Sequence, residues 1–259
     1  MTWYLQQALI ISAVVVLAYL IGNINFAIII SRIKGRDIRT FDSGNPGTMN
    51  MIRNFGKPIG AITLTCEALK GATPALIGWL VVGGIGFGDH YMRGIVLFVA
   101  DTPRLGAYIA GLAVMIGHVF PVFYKFKGGK GIATAIGVGV IAQPVLAVLA
   151  FFTGFAFLAI TQLGAITSFL IISTPLAVEA YLISLGVRNG ALYAGYATPA
   201  LVLLFVLFMF TVFTHRTNII KLFDGTERKT RLVKTKAERE AKRAKKLAEQ
   251  QSQEQNVNS

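Results

Sequence analysis

The sequence predicts an all-α protein, a polytopic bundle of membrane helices, on three observations. Of its 259 residues 54% are hydrophobic and only 14% charged, and mean hydropathy is +0.62, which is the composition of a membrane protein. The apolar residues are grouped in stretches near the length of about 20 residues that a helix needs to cross a bilayer. The basic residues gather in three segments placed between or after those stretches.

The first apolar stretch, residues 8–30, is long enough to cross and has no small-residue cleavage site close behind it, so it reads as a retained span rather than a signal peptide. Two more crossings are expected over residues 59–82 and 105–123. Breaks at Gln143-Pro144, Thr161-Gln162 and Arg188-Asn189-Gly190 divide residues 132–214 into four segments, some shorter than a standard span. Segments that short imply re-entrant or tilted helices packed on protein, and the abundant Gly and Ala allow close helix approach.

Charge sets the orientation. Residues 31–58 carry Arg32, Lys34, Arg36, Arg39, Arg53 and Lys57 against Asp37 and Asp42. Residues 124–131 carry Lys125, Lys127 and Lys130 and no acid, and residues 228–246 carry ten basic residues against Glu238 and Glu240. The stretch 83–104 is balanced, with Asp89 and Asp101 beside Arg93 and Arg104. Short cytoplasmic loops hold the Lys/Arg excess, so all three basic segments are expected on the cytoplasmic side. Parity then gives seven transmembrane helices (five if residues 132–214 cross only twice), with the N-terminus outside and the C-terminus cytoplasmic. The expected domains are a membrane domain, residues 1–227, and a basic cytoplasmic tail, residues 228–259. The tail is helical to disordered, and it is either a solvated segment drawn to anionic lipid headgroups or an RNA-binding one. It lacks the interleaved aromatics that stack on bases, so no nucleic acid is expected.

Several chemistries are excluded by what the chain lacks. Cys66 is the one cysteine, which leaves no internal disulfide and no CxxC knuckle. His90, His118 and His215 make no H-x-x-x-H zinc face, and no paired carboxylates stand ready for Mg²⁺. No metal and no cofactor are expected. An H-x-x-x-x-D catalytic pattern is also absent, since Ile95, Phe123 and Ile220 occupy the position five after each histidine.

Three polar segments carry the candidate chemistry. In DIRTFDSGNPGTMNMIRNFGK, from Asp37 to Lys57, Ser43, Asn45, Thr48 and Asn50 supply hydroxyls and amides. Gly44 and Gly47 permit a tight backbone, and Arg53 can grip an oxyanion with its fork. Ser-Gly-Asn-Pro-Gly is also ordinary turn chemistry, so an anion site and an interfacial turn both fit. The second segment, KFKGGKGIAT, is no Walker A loop, because Tyr124 stands where its first glycine belongs and Gly131 where its Ser or Thr belongs. Its glycines, with free amides leading into a helix at Ile132, still make an anion nest beside Lys130; the competing reading is lysines snorkelling at a membrane edge. In the third segment, THRTNIIKLFDGTERK, a helix continuing through would put His215 and Asn218 on one face with Arg216 turned away. His215 is then a base, a phosphate donor, or an inert interfacial residue. Glu227 either orients a base or pairs with a loop lysine. His118, at a helix end before Phe120-Pro121, reads as structural, and His90 lies on the opposite side of the membrane.

Together SGNPGTMNMIR, KFKGGKGIAT and HRTNIIKLFDGTE resemble the three motifs of the bacterial acyl-phosphate:glycerol-3-phosphate acyltransferases, integral enzymes of the bacterial cytoplasmic (inner) membrane. The resemblance runs from about Gly22 to Glu227. It implies a seven-span fold and direct transfer of a fatty acyl group from acyl phosphate to glycerol 3-phosphate, giving lysophosphatidic acid. Catalytic roles are implied for Ser43, Arg53, Lys130, His215 and Asn218. Substrate-binding or loop-shaping roles are implied for Gly44, Asn45, Gly47, Asn50, Lys127, Gly128, Gly129, Gly131 and Glu227. The chain departs from the family pattern at Pro46, Thr48-Met49, Thr217 and residues 162–165. A membrane transporter of phosphate esters or organic anions is the alternative, although such proteins bind near the midplane and often show two similar halves, and no internal repeat is evident here.

Overall fold

The computed structural model describes residues 3–82, 101–188 and 194–227, and these are helical throughout apart from short connections. Ten α-helices follow in chain order among the described residues. They are α1 Trp3–Gly22, α2 Phe26–Ile33, α3 Thr48–Phe55, α4 Lys57–Leu80 and α5 Asp101–Val119, then α6 Ile132–Ala142, α7 Pro144–Thr161, α8 Gly164–Arg188, α9 Ala194–Thr214 and α10 Arg216–Phe223. The tail, His90 and the Asn189-Gly190 break lie outside the described residues.

The first crossing differs from expectation. It is not one helix over residues 8–30 but two, α1 and α2, interrupted at Asn23–Asn25. Asn25 accepts the Ile28 N–H at 3.0 Å and so caps α2, while the Asn23 side chain donates to Tyr19 O at 2.7 Å and accepts the Val122 N–H. Each asparagine satisfies backbone groups at or beside the break. The breaks at Gln143-Pro144 and Thr161-Gln162 fall where expected, with Pro144 opening α7 and Gln162 in the left-handed region at φ 62°.

Leu5–Ile33, Pro103–Tyr124, Pro144–Thr161 and Gly164–Leu182 are long and apolar enough to cross a membrane, and Pro199–Thr214 with Arg216–Phe223 makes a fifth such unit bent by 60°. At 24 residues α4 has the length but carries Glu67 and Lys70 within it. The short α6, 11 residues, rises about 16 Å and is packed against α4, α5 and α7.

Small residues bring the central helices together. A Cβ on Gly22 would lie 2.9 Å from Gly117 Cα, fixing the α1–α5 crossing, and one on Gly137 would lie 1.8 Å from Ala68 O, fixing α4–α6. Helices gain van der Waals contact in lipid by such approaches, where the hydrophobic effect supplies little. The interior is accordingly lined by Ala75, Ala107, Ala110, Val114 and Met115. On α7, Val145, Phe152 and Ile160 point outward at 64–81% exposure, the pattern of a lipid-facing surface.

Candidate active site

The loop before α3 is built around one side chain. Buried Asn50 turns its Nδ2 toward three carbonyls, Ile38 O at 3.2 Å, Phe41 O at 3.1 Å and Asn45 O at 3.1 Å. Asp37 caps the 3₁₀ turn Ile38–Thr40 by accepting the Arg39 N–H. The hydrogen bond from the Arg39 side chain holds the Asp37 carboxyl well below the usual carboxylate range. Gly44 sits at φ +67°, a conformation glycine adopts without strain, and Gly47 precedes α3 as its N-cap. In the last turn of α3, Arg53 pairs with Asp42 and reaches to 3.4 Å from Ser43 Oγ. That oxygen also accepts the Asn45 N–H at 3.4 Å. Both partners are donors, so the Ser43 proton is directed away from them.

The lysine loop folds back over the end of α5 through Lys125 and Phe126, both left-handed at φ 55° and 58°. Here an expectation is corrected: the amides of the first two glycines are not free. Gly128 N–H donates to Val119 O at 3.1 Å and Gly129 N–H to His118 O at 3.3 Å, because the last carbonyls of α5 need donors. Both glycines serve close approach, since a Cβ would come within 1.9 Å of His118 O at Gly128 and 2.3 Å of His118 Nε2 at Gly129. The open donors of this loop among the described residues are the amides of Lys130, Gly131 and the first turn of α6. A Cβ on Gly129 would also lie 2.9 Å from Pro46 O, so the first and second loops touch. Lys127 is exposed at the rim.

The third segment is bent rather than continuous, which corrects the expectation of one helix face shared by His215 and Asn218. α9 stops at Thr214 and α10 departs at 60°, with buried His215 at the junction, φ −100° and ψ 6°. Its Nδ1 lies 3.0 Å from Thr211 O, and Thr214 Oγ1 donates to Lys130 O at 3.2 Å. The bend directs Asn218 to the lysine loop, where its Oδ1 accepts from the Lys130 ammonium. Its Nδ2 lies 3.4 Å from Glu227 Oε1, which also accepts the Ala165 N–H at 3.2 Å. Arg216 turns away, exposed, onto Phe213.

Charge ties the three segments together. Burial lowers the Lys130 ammonium to about 8, opposed by Glu227 and assisted by Lys221 and Arg53. Burial, followed by the Lys130 charge, lowers His215 to about 4, so at neutral pH its ring is uncharged. A carbonyl only accepts, hence Nδ1 carries the ring proton toward Thr211 O and Nε2 holds a free lone pair.

Two charged residues that the motifs do not contain belong to this end of the molecule. Glu67 Oε2 lies 2.5 Å from Lys70 Nζ and 3.1 Å from His118 Nδ1, all three side chains being buried. The structural reading of His118 fits this setting. A Glu and a Lys three residues apart inside an apolar stretch were the available signal, because ionisable groups within a span are kept for a purpose. Asp42, the partner of Arg53, and Thr214, the partner of the Lys130 carbonyl, were legible only as loop charge and helix end.

Residues 12–225 match the family model described as glycerol-3-phosphate acyltransferase. The glycerol-3-phosphate acyltransferase of Endomicrobium trichonymphae is 34% identical over 226 residues, covering 86% of this chain and 96% of that protein. That of Myxococcus xanthus is 34% identical over 219 residues, covering 84% and 98%. Among solved structures, PlsY, an integral membrane glycerol 3-phosphate acyltransferase, superposes in its glycerol 3-phosphate form with a TM-score of 0.67 at 29% identity, covering 85% of this chain and 94% of PlsY. Its lysophosphatidic acid form gives 0.64. The match spans the first two segments and the third as far as residue 225, and the chain belongs to the glycerol-3-phosphate acyltransferase family.

Proposed function

We propose that this protein transfers a fatty acyl group from acyl phosphate to glycerol 3-phosphate, giving 1-acylglycerol 3-phosphate and inorganic phosphate, the first acylation of phospholipid synthesis. The observation that carries the reading is the meeting of three distant segments around Lys130, where Asn218 and Thr214 of the third bond it and Pro46 of the first closes on the adjacent Gly129. The chemistry needs little acid catalysis, because acyl phosphate is a mixed anhydride whose leaving group is already a stable anion. The obstacle is bringing two phosphate-bearing molecules together. Arg53, Lys130 and the open amides at the start of α6 offset that repulsion, each well-aimed donor contributing about 3 kcal/mol in the transition state.

In this reading the glycerol 3-phosphate hydroxyl oxygen attacks the acyl carbonyl carbon, the bond from that carbon to the phosphate oxygen breaks, and phosphate leaves. His215 Nε2, uncharged and with its lone pair free, takes the hydroxyl proton. Asn218 and Glu227 hold Lys130 in place, and Ser43 donates to a substrate phosphate oxygen. The donors around Ser43 Oγ favour direct transfer over an acyl-serine intermediate, which requires a base at that hydroxyl.

The proposal includes seven crossings, by α1 with α2, then α4, α5, α6, α7, α8 and α9, with the N-terminus outside and all three loops at the cytoplasmic face of a bacterial inner membrane. The basic loops support it, and residues 1–227 form the membrane domain ahead of a lipid-attracted tail. The test is turnover by detergent-purified protein with labelled glycerol 3-phosphate and either acyl phosphate or acyl-CoA. Lysophosphatidic acid formed with acyl phosphate alone, and lost in Lys130→Ala, is expected; equal use of acyl-CoA overturns the donor assignment. Labelled acyl phosphate given without acceptor leaves no acyl group on Ser43.

A further inference from the structure

We infer that the buried Glu67–Lys70–His118 cluster is a positioning device that sets the lysine loop against the serine loop. The inference rests on the acyltransferase reading of the site and deepens it.

The cluster is a hub between segments that are far apart in sequence. Glu67 Oε1 accepts the Phe26 N–H at 2.9 Å, at the start of α2, and Thr134 Oγ1 of α6 lies 3.5 Å from Glu67 Oε2. The Lys70 ammonium has three polar atoms within 2.8 Å: Glu67 Oε2 at 2.5 Å, Ile24 O at 2.7 Å and His118 Nδ1 at 2.8 Å. This arrangement holds Nδ1 of His118 between the Lys70 ammonium and Glu67 Oε2, at 2.8 and 3.1 Å, and so fixes the orientation of the ring. Nε2 is the nitrogen against Gly129, 2.3 Å from where a Cβ would sit.

Each group therefore bears on the site through a neighbour. Lys70 holds the break between α1 and α2, whose Asn25 side chain reaches Pro46 O at 3.5 Å in the serine loop. His118, fixed at Nδ1, is the surface on which Gly129 rests, one residue before Lys130. A buried charged pair adds little net stability over an apolar pair of the same volume, and an ionisable group within a span is costly. A cluster placed under both phosphate-facing loops accounts for that cost as loop geometry. The three side chains are positioning residues, touching no substrate.

Two measurements test this. The double variant E67Q/K70M removes both charges together, so the fold does not keep one unpaired. It is expected to retain a melting temperature in detergent near that of the parent while kcat/KM for glycerol 3-phosphate falls about 100-fold, the scale of a misplacement near 1 Å. H118N is expected to behave alike, and in a Lys130→Ala background it should cost nothing further, because it acts through Lys130. Should E67Q/K70M lose its fold, H118N with the Lys130→Ala cycle decides alone. A folded variant with kcat/KM unchanged, or an H118N loss that persists in full beside Lys130→Ala, overturns the inference. If the parent protein makes no lysophosphatidic acid from acyl phosphate, it is the proposed function that fails, whereas an active parent with unaffected variants contradicts the positioning role alone.

Discussion

At the scale of single residues, Lys130 joins the second segment to the third. It draws on Asn218 at its ammonium and Thr214 at its carbonyl, and its charge lowers His215. Lys130→Ala is expected to lower kcat/KM about 100- to 1000-fold, as loss of a transition-state donor does. The pH profile follows from direction. Lys130 acts as the cation and His215 as the uncharged base, so with their values lowered to about 8 and about 4 kcat/KM holds between the two and falls above the upper one. A guanidinium does not titrate in this range, so Lys130→Arg moves the alkaline limb upward while reducing the plateau. A limb that stays in place assigns it to another group. Asn50 makes a second prediction: Asn50→Ala removes the amide that ties the carbonyls of Ile38, Phe41 and Asn45 together, leaving them only their backbone partners, and destabilises the loop by about 1 kcal/mol, read as a lower melting temperature and weaker glycerol 3-phosphate binding. Ser43, Arg53 and Lys130 stood out in sequence as a hydroxyl, a guanidinium and a glycine-flanked lysine, while their proposed roles, like that of Asn218, came from the motif resemblance. The occupied amides of Gly128 and Gly129 were not legible, since the chain's reversal onto α5 is set by left-handed Lys125 and Phe126, residues with no intrinsic preference for it.

At the scale of elements, apolar length located most helices, and the turn chemistry of Gln143-Pro144 and Thr161-Gln162 located two breaks. The interruption at Asn23–Asn25 escaped notice, because its asparagines bond groups about 100 and 21 residues away, at Val122 and Pro46. The bend at His215 escaped for a similar reason, as Thr214 turns to the lysine loop only in the folded protein. Packing of α6 against α4 depends on Gly137, where a Cβ meets backbone of Ala68 at 1.8 Å. Gly137→Ala is thus expected to lower stability by about 3 kcal/mol, measured as a shift of the thermal midpoint in detergent, whereas a midpoint unchanged from the parent contradicts this crossing.

At the scale of the whole molecule, the family match ends at residue 225, just before the basic tail begins. Removal of residues 229–259 is expected to leave kcat in detergent within about twofold and to weaken binding to vesicles of anionic lipid, since each basic residue near such a surface contributes about 1 kcal/mol. The account depends above all on three segments sharing one aqueous face. In a Cys66→Ala background, single cysteines at Lys34, Lys127 and Lys221, exposed positions beside each segment, are to be labelled in intact cells and in inverted vesicles with a membrane-impermeant thiol reagent. The account predicts labelling of all three in inverted vesicles and of none in intact cells; a single one of them labelled from outside contradicts it.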